Sequence, residues 1–517
     1  MVVKTTFAKP ILNIDLNKAS VTRTAWRIML LLFVLGINTP LPALATEAPA
    51  STQKIPDFMS LPDIGDPSGS LMSPIEEEQL GAEFMRSVRR SAQVIDDPEV
   101  EEYIQSLGYR LVAGADPQPF NFTYFVIQDP NINAFAGPGG YIGVNSGLIL
   151  MAQSESELAS VLAHETAHVT QHHLLRTYAK QSRTTIPTMA ALLAAMVLGA
   201  HNPQVAEAAI ASTVAGSQQM QINFTRENEL EADRVGMQIL VSAGYDPRYM
   251  AEFFEKLQKA TRFYQSGVPK LLMDHPVTTE RIAYSRSRAE QYPHMKPPDD
   301  LPFQLIRAKL RVLTTDDPNQ SVRFFESALK ENNYENEKAA HYGYALALLK
   351  KGDIKEARKQ VDWLLDKSPN RIAYLIAHAQ IESAAGNGKE ALKIYDNALN
   401  LYPRNYPLTI LDSTELLSQK QAKAARSLLQ DYLRYRDPKP LLYKLLAEAD
   451  NDAGSPIESL QALAEYDYLN GQTLSAIEHL NRALRITDKD DIYNTSRIEA
   501  RLKELKQQAK LEGKEKL

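Results

Sequence analysis

Two histidines and a glutamate at helical spacing are the residues of this sequence most suited to chemistry. The run His164-Glu165-Thr166-Ala167-His168 reads His-Glu-x-x-His. On a helix, residues four apart lie on one face about one turn from each other. Two imidazoles so placed can bind one zinc ion, and Glu165 can reach a water beside that ion as a general base. The pattern therefore predicts a complete reaction, the hydrolysis of a peptide bond.

A hydrolytic zinc site needs a third protein ligand, and a second helical stretch can supply it. Within Asn228–Arg234, Glu229 and Asp233 are four residues apart and share a face. We expect Glu229 to be the third ligand and Asp233 to accept the free ring N–H of a ligating histidine. Glu231 points away from that face and is the second choice.

Two further histidines, His172 and His173, follow the motif directly. If the helix continues, His172 lies on nearly the same face, but its Cα is ~12 Å from that of His164 by helical rise. A ligand there would strain the site. We therefore expect a surface role for His172 and no part in metal binding for its neighbour.

Composition narrows the classes of function. The chain has 517 residues, enough for two or three domains, and a formal net charge of −6, which argues against nucleic acid as the main partner. It contains no cysteine. Any metal must therefore be held by His, Asp or Glu, and disulfides and thiol nucleophiles are excluded.

The N-terminus predicts export. Basic residues precede the apolar run Ile28–Ile37, and Ala43-Leu44-Ala45 is a small-x-small cleavage signal, so residues 1–45 are expected to be a cleaved signal peptide. Ten apolar residues are too few to span a bilayer comfortably, although an uncleaved anchor stays open. Residues 46–72 are rich in Pro, Ser and Ala and are expected to form a flexible leader.

Residues 73–292 predict an α+β domain, mostly helical with a small sheet. Helix signals and strand-type composition alternate along it. The predicted elements are helices Ile75–Ser91 and Pro98–Ala113, strands Phe120–Gln128 and Tyr141–Asn145, and the motif helix Glu155–Tyr178. An extended substrate is expected to pair with the strand Tyr141–Asn145 as an added edge strand.

The segment Pro187–Ala200 is almost wholly apolar. At 14 residues it is too short to span a bilayer. We expect a buried helix or one that covers the active site. A peripheral membrane contact or a hydrophobic substrate lip is the alternative.

Beyond the proline-rich boundary Pro293–Pro302, the sequence repeats. Gly352, Gly386 and Gly454 share one register at multiples of 34 residues, and Lys420 occupies the position between Gly386 and Gly454 where the register has no glycine. Alanines repeat at the same interval, which is typical of tetratricopeptide (TPR) repeats. Residues 303–517 therefore predict an all-α TPR superhelix of about four repeats between Leu305 and Ile486, followed by a polar helix.

These motifs together resemble a known family. The His164–His168 run, Glu229–Asp233 and the run Asn133–Gly140 are similar to the gluzincin peptidases related to the CAAX-processing protease and HtpX. The signal peptide and C-terminal TPR repeats narrow the likeness to the BepA-like periplasmic assembly proteases of Gram-negative bacteria. The resemblance covers nearly the whole mature chain.

The resemblance implies roles for individual residues. His164, His168 and Glu229 would bind one Zn²⁺ per chain, with Glu165 as the catalytic base. His275 matches a histidine that in BepA-like proteins can occupy the open position of the zinc and restrain activity, although it could equally be a structural residue before Pro276. Arg281 would neutralise an acidic group or stabilise the oxyanion. BepA-like chains usually carry a cysteine pair in the repeats, which this chain lacks.

The expected function is that of a zinc endopeptidase in the periplasm. The resemblance implies misfolded or stalled outer-membrane β-barrel polypeptides as substrates, and the outer-membrane assembly machinery as the partner of the TPR domain. The alternative is a chaperone or assembly factor in which the repeats do the main work and proteolysis is secondary.

Overall fold

A computed structural model describes most of the chain after the predicted leader. The described residues are 72–178, 185–198, 224–261, 270–488 and 490–513. The predicted signal peptide and all of the predicted leader except Met72 lie outside them. All the described residues belong to one compact unit, Asp66–Leu517. None of their helices is long and apolar enough to cross a membrane.

Up to Ala289, the described residues form ten helices and one small sheet. The helices are α1 (Pro74–Ser91), α2 (Pro98–Val112), α3 (Ser146–Met151), α4 (Glu155–Thr170), α5 (His173–Tyr178), α6 (Ile186–Leu198), α7 (Arg226–Ser242), α8 (Arg248–Thr261), α9 (Lys270–Asp274) and α10 (Thr279–Ala289). The strands are β1 (Thr123–Ile127), β2 (Ala134–Ala136) and β3 (Tyr141–Asn145). The mostly helical domain with a small sheet is confirmed.

The first two helices begin where their capping residues predict. Ser73 and Glu76 form a reciprocal capping box, with Pro74 in the first helical turn of α1. Asp97 accepts hydrogen bonds from the first backbone N–H groups of α2, which satisfies donors that have no partner inside the helix. Each helix starts or ends within one residue of its predicted bounds.

The sheet corrects one expectation. Its strand order is β1-β3-β2, with β1 parallel and β2 antiparallel to β3. The predicted strand Tyr141–Asn145 is therefore central, and both of its edges are paired. A substrate strand has no free edge there, so the expectation that substrate pairs with Tyr141–Asn145 is wrong. Sequence alternation identifies a strand but does not reveal its position in a sheet.

The motif helix is shorter than predicted. α4 ends at Thr170, and His172 adopts a left-handed conformation with φ of 51° before α5 begins at His173. The prediction of one continuous helix from Glu155 to Tyr178 is wrong at this turn. Neither Gly nor Pro marks the break, so the sequence carried no stop signal.

The apolar segment lies in a packed core. α6 packs against α1, and Met189, Leu193 and Val197 are buried in a cluster with Phe84. None of the described residues 186–198 is exposed. The structure thus favours the buried helix over a membrane-surface contact for this part of the predicted segment.

From Leu301 onward the described chain is entirely helical and arranged in pairs. The helices are α11 (Leu301–Thr314), α12 (Pro318–Glu331), α13 (Glu337–Lys351), α14 (Ile354–Lys367), α15 (Ile372–Ala384), α16 (Gly388–Leu401), α17 (Tyr406–Ser418), α18 (Ala422–Leu433), α19 (Pro440–Asp452), α20 (Pro456–Leu469), α21 (Thr473–Ile486) and α22 (Ile492–Leu511). Up to Ile486 there are eleven of these helices, five pairs and α21, where about four repeats are predicted. The last helix, α22, packs against α21 and is the predicted polar helix.

The turn register has a conformational cause. Gly352, Gly386 and Gly454 have φ of 91°, 81° and 82°, a left-handed geometry that glycine adopts without steric penalty. Lys420, at the one position of the register without glycine, has φ of 59°. The backbone therefore repeats even where the glycine is missing.

Helix α11 joins the two halves of the molecule. Its residues Phe303, Ile306 and Leu310 belong to the core of the N-terminal part, whereas Leu301 and Leu305 belong to the core of the first helix pairs. The helix therefore contributes to both cores, and it begins at Leu301, inside the predicted boundary Pro293–Pro302.

The start of α2 docks on the helix pairs through three carboxylates. Lys309 pairs with Glu99 and lies 3.0 Å from Asp97 Oδ2, and Tyr342 Oη donates to Glu99 Oε1 at 3.2 Å. Farther along the repeats, Tyr406 Oη donates to Glu101 Oε2 at 2.9 Å, and Lys439 Nζ lies 2.9 Å from Glu101 Oε1. Distant pairs thus contact one helix, so the repeats curve around it.

Candidate metal centre

The centre is built where α4 and α7 cross closely. Gly236 on α7 allows this approach, because a Cβ there would lie 3.2 Å from both Ala163 O and the Cα of His164. Asp233 and Glu229 stand about one and two turns earlier on α7, which brings them to the histidines of α4. Thr225 and Asn228 cap the start of α7 reciprocally and fix where its first turn begins.

Four buried side chains place ligand-type atoms within 4.8 Å of one another: His164, His168, Glu229 and His275. The Nε2 atoms of His164 and His168 are 3.0 Å apart. Glu229 Oε2 lies 3.4 Å from His164 Nε2, and Oε1 lies 3.5 Å from His168 Nε2. Ligands about 2.1 Å from a tetrahedral metal are separated by about 3.4 Å, so these spacings suit a metal ion.

Unpartnered buried atoms support the same fit. Glu165 is fully buried, and neither of its oxygens accepts a hydrogen bond from the described residues. His275 Nε2 lies 3.5 Å from Glu165 Oε1, beyond the usual length of such a bond. A buried carboxylate without partners is destabilising unless a ligand or water completes it. The residues present therefore fit a cation with a water beside it.

The charges of the centre also favour a cation. Burial would lower the pKa of His164, but hydrogen bonds to Asp233 and Glu229 raise it to about 10 in the metal-free centre. Burial would raise the pKa of Glu229, but His275 and His164 hold it well below its usual value. Burial and neighbouring His164 keep the pKa of His168 well below its usual value, which leaves that imidazole neutral and able to bind a metal.

His164 is oriented by a carboxylate that is itself held by a cation. His164 Nδ1 lies 3.0 Å from Asp233 Oδ1. Arg281 donates to both oxygens of Asp233, at 2.9 and 2.7 Å, and its Nη1 lies 2.7 Å from Glu229 Oε2. The predicted contact between Asp233 and a motif histidine is thus present, and the guanidinium of Arg281 is engaged by two carboxylates.

His168 is oriented by a residue that the sequence analysis set aside. His173 is fully buried, with Nδ1 2.9 Å from Nδ1 of His168 and Nε2 3.1 Å from Glu231 Oε2. The left-handed turn at His172 makes this contact possible, because in a continuous helix His173 would lie on another face. Glu231, the second choice as a ligand, instead meets His173.

His172 lies outside the cluster, as expected. Its side chain is partly buried, and Nδ1 is 3.7 Å from Glu77 Oε1 on α1. The two adjacent histidines therefore have separate environments.

His275 fills the mouth of the centre. It follows α9, and its Nδ1 lies 2.9 Å from Glu229 Oε1 and 3.4 Å from His164 Nε2. The space left beside His164, Glu165 and His275 is a cavity of about 10 Å³. That volume holds about one water molecule, so the cavity between these described residues has no room for a peptide segment.

Comparison with known proteins agrees with this geometry. Residues 98–289 match Peptidase family M48. The chain is 37% identical over 458 residues to the putative beta-barrel assembly-enhancing protease of Vibrio cholerae serotype O1, covering 88% of this chain and 94% of the relative. It is 34% identical over 449 residues to the beta-barrel assembly-enhancing protease of Escherichia coli strain K12, covering 87% of this chain and 91% of the relative.

Among solved structures, a tetratricopeptide repeat protein from Parabacteroides merdae matches 54% of this chain and 98% of its own, at a TM-score of 0.29 and 15% identity. A TM-score this low carries no argument about fold or function. The relatives in sequence, which the chain matches almost end to end, show instead that it belongs to the M48 metallopeptidases and, within them, to the beta-barrel assembly-enhancing proteases.

Proposed function

We propose that this protein is a periplasmic zinc endopeptidase that cleaves misfolded or stalled outer-membrane β-barrel polypeptides during quality control of the cell envelope. The observation that carries the proposal is the buried cluster of His164, His168 and Glu229 beside the unpartnered carboxylate of Glu165. The names of the relatives, beta-barrel assembly-enhancing proteases, support the substrate class, and the signal peptide predicted at residues 1–45 supports the compartment.

His164, His168 and Glu229 would hold the metal, since two imidazoles and one carboxylate are a ligand set of hydrolytic zinc sites. The absence of cysteine from the chain is consistent with such a set. A zinc ion there supplies Lewis-acid chemistry, which acidifies water and polarises the carbonyl of a peptide bond.

Glu165 acts as the general base. It takes a proton from the attacking water and passes it to the leaving amine. Burial raises the pKa of Glu165, which brings its carboxylate closer to the neutral range that suits proton transfer in both directions. Neither oxygen has a hydrogen-bond partner among the described residues, which leaves both available for this role.

Arg281 serves the centre as a counter-charge rather than as an oxyanion donor. Its guanidinium already binds Asp233 and Glu229 and donates to Pro276 O at 2.9 Å. Two carboxylates beside one ligating histidine need such a cation to stay ionised when buried. Of the two roles that the family resemblance implies for Arg281, the geometry supports this one.

His275 keeps the resting enzyme closed. Its imidazole lies among the ligand atoms, so it can occupy the coordination position that substrate and water require. Activation then requires its displacement by a substrate or a partner, which would move the short helix α9 to which its backbone N–H is bonded.

Substrate pairs with β2 rather than β3. β2 packs against the motif helix and has a strand partner on one side only among the described residues. An extended peptide added at this edge would lie beside α4, the helix that carries Glu165. Backbone pairing tolerates many sequences, which suits unfolded β-rich substrates.

The helix pairs from α11 to α22 would bind the partner or hold the substrate, with the outer-membrane assembly machinery as the partner class that the relatives' names suggest. The docking of α2 on these pairs gives a non-covalent route by which binding to the repeats could reach the peptidase domain.

Glu165→Gln tests the proposal. The purified variant should keep its zinc and its thermal unfolding midpoint but lose cleavage of an unfolded outer-membrane protein by about a thousandfold, since general base catalysis contributes 10²–10⁴. Equal cleavage by the variant, or a wild-type protein without stoichiometric zinc, would refute the zinc peptidase. Normal outer-membrane assembly in cells that carry the variant would instead favour the chaperone alternative.

A further inference from the structure

A second cavity lies far along the chain from the metal ligands, in the first helix pairs. Its volume is about 730 Å³, and it is formed by α11, α12, the start of α13 and the loop Asn332–Asn336. Arg307 and Arg311 line it one helical turn apart on α11, so they share a face. Two cations on one wall of a cavity are a feature of anion-binding sites.

Neither arginine has an ion pair with a carboxylate within 4 Å among the described residues. Arg307 donates weakly to neutral oxygens, from Nε to Leu150 O and from Nη1 to Gln304 Oε1, both at 3.3 Å. The guanidinium of Arg311 has no hydrogen-bond partner among the residues that the structure describes. It lies 4.1 Å from the centre of the ring of Phe324. Both forks therefore keep donors for an external acceptor.

Neighbouring acidic groups balance only part of the positive charge of the two guanidiniums. Burial lowers the pKa of Arg311, and neighbouring Arg307 lowers it further. Burial lowers the pKa of Arg307 too, against the attraction of Glu335, Asp300 and Glu157. Glu335 lines the cavity but is exposed at its rim, so it reduces the positive charge without neutralising it.

The cavity also offers an apolar ring beside Arg311 and polar groups in the adjoining loop. Phe324 is 45% exposed beside Arg311, and Asn332 and Asn333 lie in the adjoining loop. The first turn of α13 also borders the cavity, and the positive end of that helix dipole favours an anion. A ligand with a negative group next to an apolar side chain matches this combination.

We propose that this cavity binds a peptide carboxylate, which Arg307 and Arg311 hold through charge-assisted hydrogen bonds while an adjacent apolar side chain packs on Phe324. The carboxylate can be a chain terminus or an Asp or Glu side chain. The site would anchor polypeptides on the repeats, and it rests on the proposed function only in taking polypeptides as its ligands.

The size of the cavity favours a peptide carboxylate over larger anionic partners. The planar fork of arginine matches a carboxylate through two parallel bonds. A duplex or a membrane surface is too broad for a cavity of about 730 Å³. A short peptide segment fits this limit.

Fluorescence anisotropy with three labelled octapeptides tests the site. The first ends in apolar residues with a free carboxylate, the second is the same peptide amidated, and the third is amidated with one internal Glu. The intact protein with Glu165→Gln is used, so that no probe is cut. We expect the free-carboxylate or the Glu peptide to bind at least about tenfold more tightly than the neutral one, and less tightly at high salt.

Variants locate the binding. Arg307→Gln with Arg311→Gln should abolish the preference for the acidic probe, and Arg311→Lys should weaken it partly, because the charge remains without the fork. Arg323→Gln is the matched control, since Arg323 is exposed on α12 and pairs with Asp317. Thermal midpoints report whether the variants stay folded.

Three outcomes would overturn the proposal. One is equal binding of all three peptides, and another is an unchanged preference in a folded double variant. The third is competition by inorganic phosphate at concentrations where acetate has no effect, because it would assign the site to phosphate. Loss of cleavage by Glu165→Gln is measured separately, so failure of the anchor site and failure of the peptidase remain distinguishable.

Discussion

Two regions of the molecule bury carboxylates beside cations, and they differ in whether the protein alone completes them. At the docking of α2, both oxygens of Glu99 and both of Glu101 contact a lysine or a tyrosine. In the metal centre, Glu165 has no hydrogen bond from the described residues, and two imidazole nitrogens face each other at 3.0 Å. The first region is self-sufficient, whereas the second requires a ligand.

This difference separates structural from functional burial of charge. A completed ion network holds elements together and gains nothing from an added ligand. An incomplete network raises the free energy of the folded state unless a cation and water complete it. The two regions should therefore respond in opposite ways when a charge is removed.

The largest effect is expected at the docking region, from Lys309→Met. The substitution leaves the buried Glu99 and the half-buried Asp97 without their counter-charge, which costs about 3–5 kcal/mol. Because the described residues form one unit of about 450 residues, the thermal midpoint should fall by about 3–5 °C. Lys359→Met, which removes an exposed partner of Glu356, is the control and should change it by less than about 2 °C.

Rescue makes this prediction sharper. Adding Glu99→Gln to Lys309→Met should recover part of the lost midpoint, because a neutral amide replaces the uncompensated carboxylate. If Lys309→Met is no worse than the exposed control, the docking contacts do not stabilise the protein and the comparison fails on its structural side.

Asp412 on α17 tests the comparison from the other direction, because it is an incomplete carboxylate inside the repeats. It is buried, with one oxygen lacking a partner among the described residues. Burial, together with Asp396 and Glu415, raises its pKa to about 7. The folded state therefore favours the protonated acid. As pH rises from about 4 to about 7, the contribution of Asp412 to the free energy of unfolding falls by at most about 4 kcal/mol.

Asp412→Asn should remove this dependence. Relative to the wild type, the variant should gain stability at pH 8 and none at pH 4, as measured by thermal unfolding across that range. Asp366→Asn, on the exposed side of α14, should follow the wild type at every pH. A gain that does not change with pH would show that ionisation of Asp412 is not its cause.

The sequence predicts the residues that could bind the metal better than it predicts the residues and elements that position them. His164, Glu165, His168, Glu229 and Asp233 were found because helical spacing places residues on faces, and α4 and α7 are regular where those residues stand. The repeats were found because the 34-residue period is local. Lys420 adopts the same left-handed conformation as the glycines of the register.

Long-range and irregular features escaped prediction. The central position of β3 depends on which strands flank it, and no local pattern encodes that. The role of His173 depends on a left-handed residue at His172, a conformation that few sequences signal without glycine. The sharing of α11 between two cores depends on tertiary packing alone.

His173→Ala should weaken metal binding without unfolding the protein. His173 orients the imidazole of His168, and loss of such support usually costs 10–100-fold in metal affinity or activity. Zinc affinity is measured by competition with a chromogenic chelator. His172→Asn is the adjacent control, since His172 lies away from the cluster beside Glu77 and Asn tolerates its left-handed conformation, and it should bind zinc as the wild type does. Equal affinities would reduce His173 to a packing residue.

The smallest effect is expected from opening the centre at His275. His275→Ala removes the imidazole that lies among the ligand atoms and enlarges a cavity of about 10 Å³, so cleavage of an unfolded substrate should rise about tenfold. Zinc should remain bound by His164, His168 and Glu229. His294→Ala removes an exposed histidine near Asp246 and should leave cleavage unchanged. A loss of zinc together with activity would make His275 an obligatory ligand, and the resting centre would then be complete rather than closed.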